Sequence, residues 1–197
     1  MRIFYTKKGS NSVLNIILAI ICAVFWLAFI FGAAYNFVEK NYIYPLCYKD
    51  EIVETAERYD IDVALLFAIV KTESGFNARA VSGKGAVGLM QILPSTGRFI
   101  ADKKGVAEYD LTDIGTNLDF GGYYWAYLRG KFKGVNETAA AYNAGEGTVK
   151  KWLNNREYSA DGKRLKAIPY PETAAYTEKI CESMKRYEKL YGKLLDK

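Results

Sequence analysis

The sequence predicts an all-α domain that follows one N-terminal transmembrane helix. An uncharged apolar run near the N-terminus indicates the membrane segment, and successive segments with apolar residues at helical spacing indicate the domain. No two runs of alternating apolar residues pair as a hairpin, and 197 residues leave room for one ordinary domain. We therefore predict a cytoplasmic tail at 1–12, a transmembrane anchor at 13–37, a stalk at 38–48 and a globular domain at 49–197.

The anchor is predicted from the absence of charge between residues 9 and 38. At ~1.5 Å per residue, a helix of this length crosses a hydrocarbon core of ~30 Å. The tail carries Arg2, Lys7 and Lys8 and no acid, which places it in the cytoplasm and makes the protein a single-pass plasma-membrane protein with its domain outside. A signal peptide cleaved near Ala34 is the alternative, but the run exceeds the usual signal core of about 7–15 residues.

The helices of the domain are predicted from periodicity and from capping residues. Asp62 is a good N-cap for an almost wholly apolar helix, which Gly75 would end. Pro94 suits the first turn of another helix, and Asn136 is predicted to cap a third. The predicted helical segments are 49–60, 62–73, one from residue 94, a long one within 111–132, 136–144, 147–153 and 171–195.

The composition excludes several classes of mechanism. The chain has no histidine, which rules out a Ser-His-Asp triad, a Cys-His pair and an HExxH zinc site. Cys22, Cys47 and Cys181 form no CxxC motif, so we expect neither a metal nor another cofactor. Cys47 and Cys181 lie on the same side of the anchor and could be bridged or free. Beyond the anchor, 24 basic residues face 22 acidic ones without a basic stripe, so nucleic-acid binding is not expected.

Glu73 is the candidate catalytic residue because it ends a buried helix, where the helix dipole disfavours a carboxylate. Burial would raise its pKa and let it donate a proton near neutral pH, as glycosidic bond cleavage requires. A glutamate that merely frays into water is the alternative. Tyr142 with Asn143, and the tyrosines of "IPYPETAAY", add the rings and amides that are typical of a sugar-binding site.

Four blocks occur in order: "ESGF" (73–76), "SGKGAVGLMQILPST" (82–96), "AYNAG" (141–145) and "IPYPETAAY" (168–176). With them, the chain from about Lys49 to Tyr191 resembles the catalytic domain of soluble-type lytic transglycosylases, glycoside hydrolase family 23. The resemblance implies a lysozyme-like fold, peptidoglycan glycan strands as the partner, and Glu73 as the single catalytic acid/base. It also implies a groove shaped by Ser74, Ser82, Met90, Gln91, Tyr142, Asn143 and Tyr176. Ala174 and Glu146 depart from the family pattern, which often has Arg and Pro there.

The reaction type is predicted from a missing second carboxylate. An inverting hydrolase needs another carboxylate to activate water, and residues 74–101 contain no acid. The resemblance and this gap together favour cleavage of the β-1,4 bond between N-acetylmuramic acid and N-acetylglucosamine with closure of a 1,6-anhydro ring.

Two other functions stay open at this point. A hydrolytic lysozyme on the same fold could take its base from Asp102, Asp110, Asp113 or Asp119. An accessory protein of an envelope-spanning secretion or conjugation machine is the other, with cell-wall or secretion machinery as its partner. Glu73 argues only against pure scaffolding.

Overall fold

The computed structural model describes residues 10–195, without the side chains of residues 10–12 and 193. The chain divides into two compact units, with the boundary between Pro45 and Leu46. Most of the predicted cytoplasmic tail, residues 1–9, lies outside the described residues.

The N-terminal unit is one long helix. Helix α1 runs over Ser10–Val38 and continues as a π-helical turn over Glu39–Ile43, so helical backbone extends into the segment predicted as a stalk. Its apolar side chains from Val13 to Phe37 are exposed. In the described part of the chain, this is the one helix long and apolar enough to cross a membrane, judged by length and composition.

The C-terminal unit is helical. Its helices are α2 (Lys49–Arg58), α3 (Val63–Ser74), α4 (Pro94–Lys104), α5 (Ile114–Arg129), α6 (Val135–Ala144), α7 (Glu146–Leu153) and α8 (Pro171–Leu195). Among the described residues there is no β-strand, and extended pairing is limited to isolated bridges such as Val81 with Val87. The predicted all-α class is confirmed.

Most of the predicted helix ends are confirmed. The Asp62 side chain accepts a hydrogen bond from the Leu65 backbone N–H at 2.8 Å, and Gly75 ends α3 in the left-handed region at φ 57°. Pro94 occupies the first turn of α4. These positions are decided locally, because each cap satisfies backbone groups that the helix itself leaves unpaired.

The predicted cap at Asn136 is wrong. The N-cap of α6 is Gly134, whose carbonyl accepts from the Thr138 backbone N–H at 3.0 Å. Asn136 lies inside the first turn, and its side-chain oxygen accepts from the Cys181 thiol at 3.1 Å.

The sequence left open whether Cys47 and Cys181 are bridged. In the structure both are free thiols.

Helix α3 forms the centre of the domain. Leu66, Phe67, Ile69 and Val70 are fully buried, as the apolar sequence predicted. Helix α8 packs along α3, and the Phe67 and Tyr187 rings lie 5.3 Å apart between centroids. This packing brings the first turns of α8 next to the C-terminal end of α3, where Glu73 lies.

A second apolar cluster joins α5, α6 and α7. Its buried members include Leu128, Ala141, Val149 and Trp152. Helix α6 also packs on α8. The end of α6, which carries Tyr142 and Asn143, is therefore held beside the same part of α8 as Glu73.

Candidate active site

Glu73 is positioned by the last turn of α3 and by one hydrogen bond from α8. The Tyr176 hydroxyl donates to Glu73 Oε1 at 2.5 Å, across 103 residues of sequence. Tyr176 is itself buried, which raises the pKa of its phenol well above the usual range and keeps it a donor. The contact fixes the orientation of a carboxyl group that would otherwise rotate freely at a helix end.

Burial raises the pKa of Glu73 from 4.5 to about 7, even though the Tyr176 hydrogen bond acts in the opposite direction. Desolvation disfavours the charged carboxylate, and this effect outweighs the hydrogen bond from Tyr176. Near neutral pH the protonated form of this carboxyl is therefore accessible as well as the ionised one. Such a carboxyl can donate a proton and accept one back within the same reaction cycle.

The loop between α3 and α4 forms one wall of the site. Gln91 adopts a positive φ of 47°, and its Nε2 donates to the Ala80 carbonyl at 3.1 Å and the Gly88 carbonyl at 3.0 Å. Gly88 has φ 80°, and a Cβ there would lie 2.2 Å from Asn117 Nδ2, so only glycine fits. The unusual backbone of this loop is held in place by side-chain amides.

Asn117 of α5 anchors the loop from beneath, a role that the sequence analysis missed. It is fully buried, and its Oδ1 accepts from the Met90 backbone N–H at 2.8 Å. Its Nδ2 donates to the Val87 carbonyl at 2.9 Å and the Leu111 carbonyl at 2.8 Å. A buried amide must find partners, but the sequence does not indicate which ones.

The loop, α6 and α8 enclose a groove of about 400 Å³ that contains the Glu73 carboxyl. Four other predicted site residues also line it, namely Ser82, Gln91, Tyr142 and Asn143. The Tyr142 hydroxyl donates to the Met90 carbonyl at 2.9 Å, and Asn143 Oδ1 accepts from the Thr173 hydroxyl at 2.7 Å. Five predicted residues from three separate parts of the sequence thus meet in one groove.

The other three predicted residues contribute from beneath or beside the groove. The Met90 side chain is fully buried, with Gly121 so close that a Cβ there would lie 2.2 Å from the Met90 sulfur. The Ser74 hydroxyl donates to the Val70 carbonyl of its own helix at 3.1 Å. Tyr176 acts through its bond to Glu73. Direct contacts of these three with a sugar stay predictions.

Three further residues that the sequence analysis did not assign also line the groove: Lys84, Leu93 and Glu172. Lys84 lies in the "SGKGA" segment itself, so its proximity to the site could have been inferred from the block. Glu172, in the first turn of α8, is a second carboxylate in the groove. Glu172 bears directly on the reaction type, because it is not one of the four aspartates named above as alternative bases and it lies in the groove itself.

The four aspartates considered as alternative bases lie elsewhere. Asp119 forms salt bridges with Arg58 at 2.8 Å and with Lys104, and these cations together with Tyr59 hold its pKa below its usual value despite partial burial. Asp110 accepts from Thr112, Asp113 caps α5, and Asp102 is exposed on α4. The residues lining the groove include none of the four.

Glu146, which departs from the family pattern, lines a second recess with Phe99, Tyr124 and Tyr127. It pairs with Lys131 at 2.8 Å and with Lys150 at 2.5 Å. Burial would raise its pKa, but the two lysines lower it to about 2. The negative charge of Glu146 is therefore balanced by Lys131 and Lys150.

In the part of the chain that the structure describes, no three Cys, Asp or Glu side chains are grouped so that they could hold a metal ion. The chemistry available in the groove comes from carboxyl, phenol, amide, hydroxyl and ammonium groups.

Comparison of the sequence with protein families gives a match to the Transglycosylase SLT domain over residues 50–165. The soluble lytic murein transglycosylase of Salmonella typhimurium is 32% identical over 160 residues, covering 78% of this chain and 24% of the relative. The membrane-bound lytic murein transglycosylase C of Haemophilus ducreyi is 32% identical over 165 residues, covering 71% of this chain and 45% of the relative. The chain thus spans about a quarter to a half of the length of these relatives.

Solved structures of lytic transglycosylases are also similar to this chain. The 70-kDa soluble lytic transglycosylase of Escherichia coli matches with a TM-score of 0.69 and 28% identity, over 82% of this chain and 27% of that one. The lytic transglycosylase Slt of Pseudomonas aeruginosa matches with a TM-score of 0.65 and 28% identity, over 74% and 24%. The Pseudomonas structure is described as that of an inactive mutant, in which glutamine replaces a glutamate.

Proposed function

Because this chain belongs to the Transglycosylase SLT domain family, we propose that it is a membrane-anchored lytic transglycosylase of peptidoglycan. The bond cleaved is the β-1,4 bond between N-acetylmuramic acid and N-acetylglucosamine, and the product ends in a 1,6-anhydro ring. The observation that carries the proposal is Glu73, a groove carboxyl with a pKa of about 7 that is oriented by Tyr176.

Protonated Glu73 donates its proton to the glycosidic oxygen as the C1–O bond breaks. The acetamido oxygen of the muramic acid stabilises the anomeric carbon through this step. The Glu73 carboxylate then takes the proton from the C6 hydroxyl of the same sugar, and that oxygen bonds to C1. The proton that Glu73 lost is thereby restored, and the internal nucleophile removes the need for a bound water.

Glu172 gives the hydrolytic alternative a specific basis. It lines the same groove as Glu73, and an inverting hydrolase needs a second carboxylate across the sugar ring. In that mechanism Glu172 would activate water. An anhydro-forming mechanism assigns it no proton-transfer role, so a Glu172→Gln variant distinguishes the two.

The role of Glu73 is tested by Glu73→Gln in the full-length protein. General acid–base catalysis contributes ~10²–10⁴-fold, so activity on peptidoglycan should fall by at least about a hundredfold. Glu182→Gln, at an exposed position on α8, is the matched control and should retain parental activity. Near-parental activity of a folded Glu73→Gln protein would refute the assignment. The inactive Pseudomonas relative, with its Glu-to-Gln substitution, supports the expected result.

The reaction type is tested by digestion in ¹⁸O-labelled water followed by mass spectrometry of the released fragments. Muramic ends should be unlabelled, lack a reducing end and weigh one water less than hydrolytic products. Glu172→Gln should leave this product unchanged. Labelled anomeric ends, together with loss of cleavage in Glu172→Gln, would make the protein a hydrolase.

Anchoring through residues 13–37 is the proposed localisation, with the domain from residue 49 on the outer side of the plasma membrane. It is supported by the apolar length of α1 and by the charges of Arg2, Lys7 and Lys8 in the tail. Protease added to intact spheroplasts should digest the domain and leave the anchor. Digestion only after lysis would reverse the orientation, and a soluble form beginning near Tyr35 would indicate a cleaved signal. Association with a secretion or wall-synthesis machine stays a hypothesis.

A further inference from the structure

The groove contains one cation whose role the proposed reaction does not explain. Of the residues that line it, Lys84 alone is basic, and it shares the groove with the carboxyl groups of Glu73 and Glu172. Lys84 is exposed, and none of the ion pairs among the described residues includes it. By contrast, Lys104, Lys131 and Lys150 are each paired with a carboxylate of the fold. Lys84 therefore has a charge that the folded chain leaves available to a ligand.

The backbone that carries Lys84 is fixed. The Ser82 hydroxyl accepts from the backbone N–H of Lys84 at 3.3 Å and of Ala86 at 3.0 Å. The Ser82 backbone N–H also donates to the Ala86 carbonyl at 2.9 Å, and the Gly85 N–H donates to the Ser82 carbonyl at 2.9 Å. The turn is thus held by four hydrogen bonds, so the Lys84 side chain starts from a fixed point of the groove wall.

The charge balance of the groove indicates what this ammonium is for. The sugar rings of a peptidoglycan strand are uncharged, and its negative charge lies in carboxylates on the lactyl substituent of muramic acid or on the peptide stem attached to it. Without Lys84, such a substrate would enter a groove whose charged groups are carboxyls only. Carboxylates of the groove and of the substrate repel each other. An ammonium group near the substituent offsets this repulsion and adds a charge-assisted contact.

We propose that Lys84 binds a carboxylate of the muramic acid substituent and makes the enzyme select anionic glycan strands over neutral ones. This inference rests on the proposed function, since it assumes that a peptidoglycan strand occupies the groove. It assigns Lys84 a role in substrate selection and none in proton transfer.

The test measures equilibrium binding to full-length protein in detergent micelles, with Glu73→Gln in the background to prevent turnover. Three probes share one glycan: strands with intact peptide stems, strands freed of stems by an amidase, and stem-bearing strands whose carboxylates have been converted to amides. Lys84→Met should weaken binding of an anionic probe about threefold and Lys84→Glu about tenfold, as expected for one exposed charge contact and its reversal. Both effects should shrink in high salt. Lys189→Met, an exposed lysine of α8 outside the groove, is the matched control and should change nothing.

The probes also identify the carboxylate. A loss confined to stem-bearing strands assigns the contact to the peptide stem, and a loss confined to stem-free strands assigns it to the lactyl carboxylate. Unchanged binding of both anionic probes would overturn the proposal, as would an equal loss with the amidated strands, because that result would reflect damage to the turn. Charge-dependent binding in a protein that fails the cleavage tests would refute the proposed chemistry while leaving the role of Lys84 intact.

Discussion

Replacing Glu73 by glutamine should stabilise the domain at neutral and alkaline pH while lowering its activity at least about a hundredfold. The folded protein raises the pKa of Glu73 from 4.5 to about 7 because burial disfavours its ionised form. A carboxyl whose pKa is raised on folding contributes stability that is fully present below pH 4.5 and is lost as the pH rises through about 7. Glutamine is neutral at every pH and can still accept the Tyr176 hydrogen bond, so the variant avoids this loss.

The size of the effect follows from the shift in the pKa. Each pKa unit corresponds to ~1.4 kcal/mol, so a rise from 4.5 to about 7 sets an upper limit of about 3 kcal/mol. Glu73 is only partly buried by surface area, and solvent screens its outer edge, so we expect about 1–3 kcal/mol. The difference in unfolding free energy between variant and parent should grow mainly between pH 4.5 and pH 7.

The measurement is urea unfolding of the full-length proteins in detergent at several pH values from 4 to 8. Unfolding is followed by the near-ultraviolet circular dichroism of the aromatic side chains, which include the buried Trp125. Glu182→Gln, on the exposed side of α8, should track the parent at every pH. If the Glu73→Gln and parental curves also stay parallel from pH 4 to 8, the carboxyl is not desolvated, and the argument for a general acid that is protonated at neutral pH fails.

Three other substitutions test the architecture of the site. Tyr176→Phe removes a hydrogen bond that lowers the pKa of Glu73, so the alkaline limb of the profile of kcat/KM against pH should move to higher pH. A limb that stays in place or moves to lower pH would contradict the contact. Asn117→Ala takes a hydrogen-bond partner from the buried Met90 N–H and from the Leu111 carbonyl, whereas the Val87 carbonyl still accepts from the Ile92 N–H. The change should cost about 2–3 kcal/mol of unfolding free energy, and a loss below about 1 kcal/mol would refute the anchoring role of Asn117. Gly121→Ala places a Cβ 2.7 Å from Met90 Cβ and should destabilise by about 1–3 kcal/mol in the same urea assay; an unchanged midpoint would mean that the loop shifts freely.

Local sequence signals determined the elements of this protein. The uncharged run predicted α1, and the apolar stretch after Asp62 predicted the buried helix α3, because both follow from composition and from capping within a few residues. The prediction at Asn136 failed because Gly134, two residues earlier, has an extended backbone and serves as the N-cap of α6. Cap choice among adjacent polar residues depends on the path of the incoming backbone, which the local pattern does not encode.

The sequence also predicted residues that line the groove, but not how deeply each is buried. Glu73, Gln91, Tyr142 and Asn143 were predicted from their blocks and do line one groove. That Met90 is fully buried instead depends on helix α5 packing beneath the loop. Side-chain type indicates what a residue could bind, whereas its burial is decided by elements distant in sequence.

Tertiary structure alone decided the electrostatics of the groove. A glutamate at a helix end has an ordinary pKa in an isolated helix, and it is the packing of α8 against α3 that removes water from Glu73 and supplies Tyr176. The same packing brings Glu172 into the groove, about a hundred residues away in the chain. Desolvation and the meeting of distant charges are properties of three-dimensional contact, so the sequence could indicate which carboxyl to examine, but only the fold decided how strongly it holds its proton.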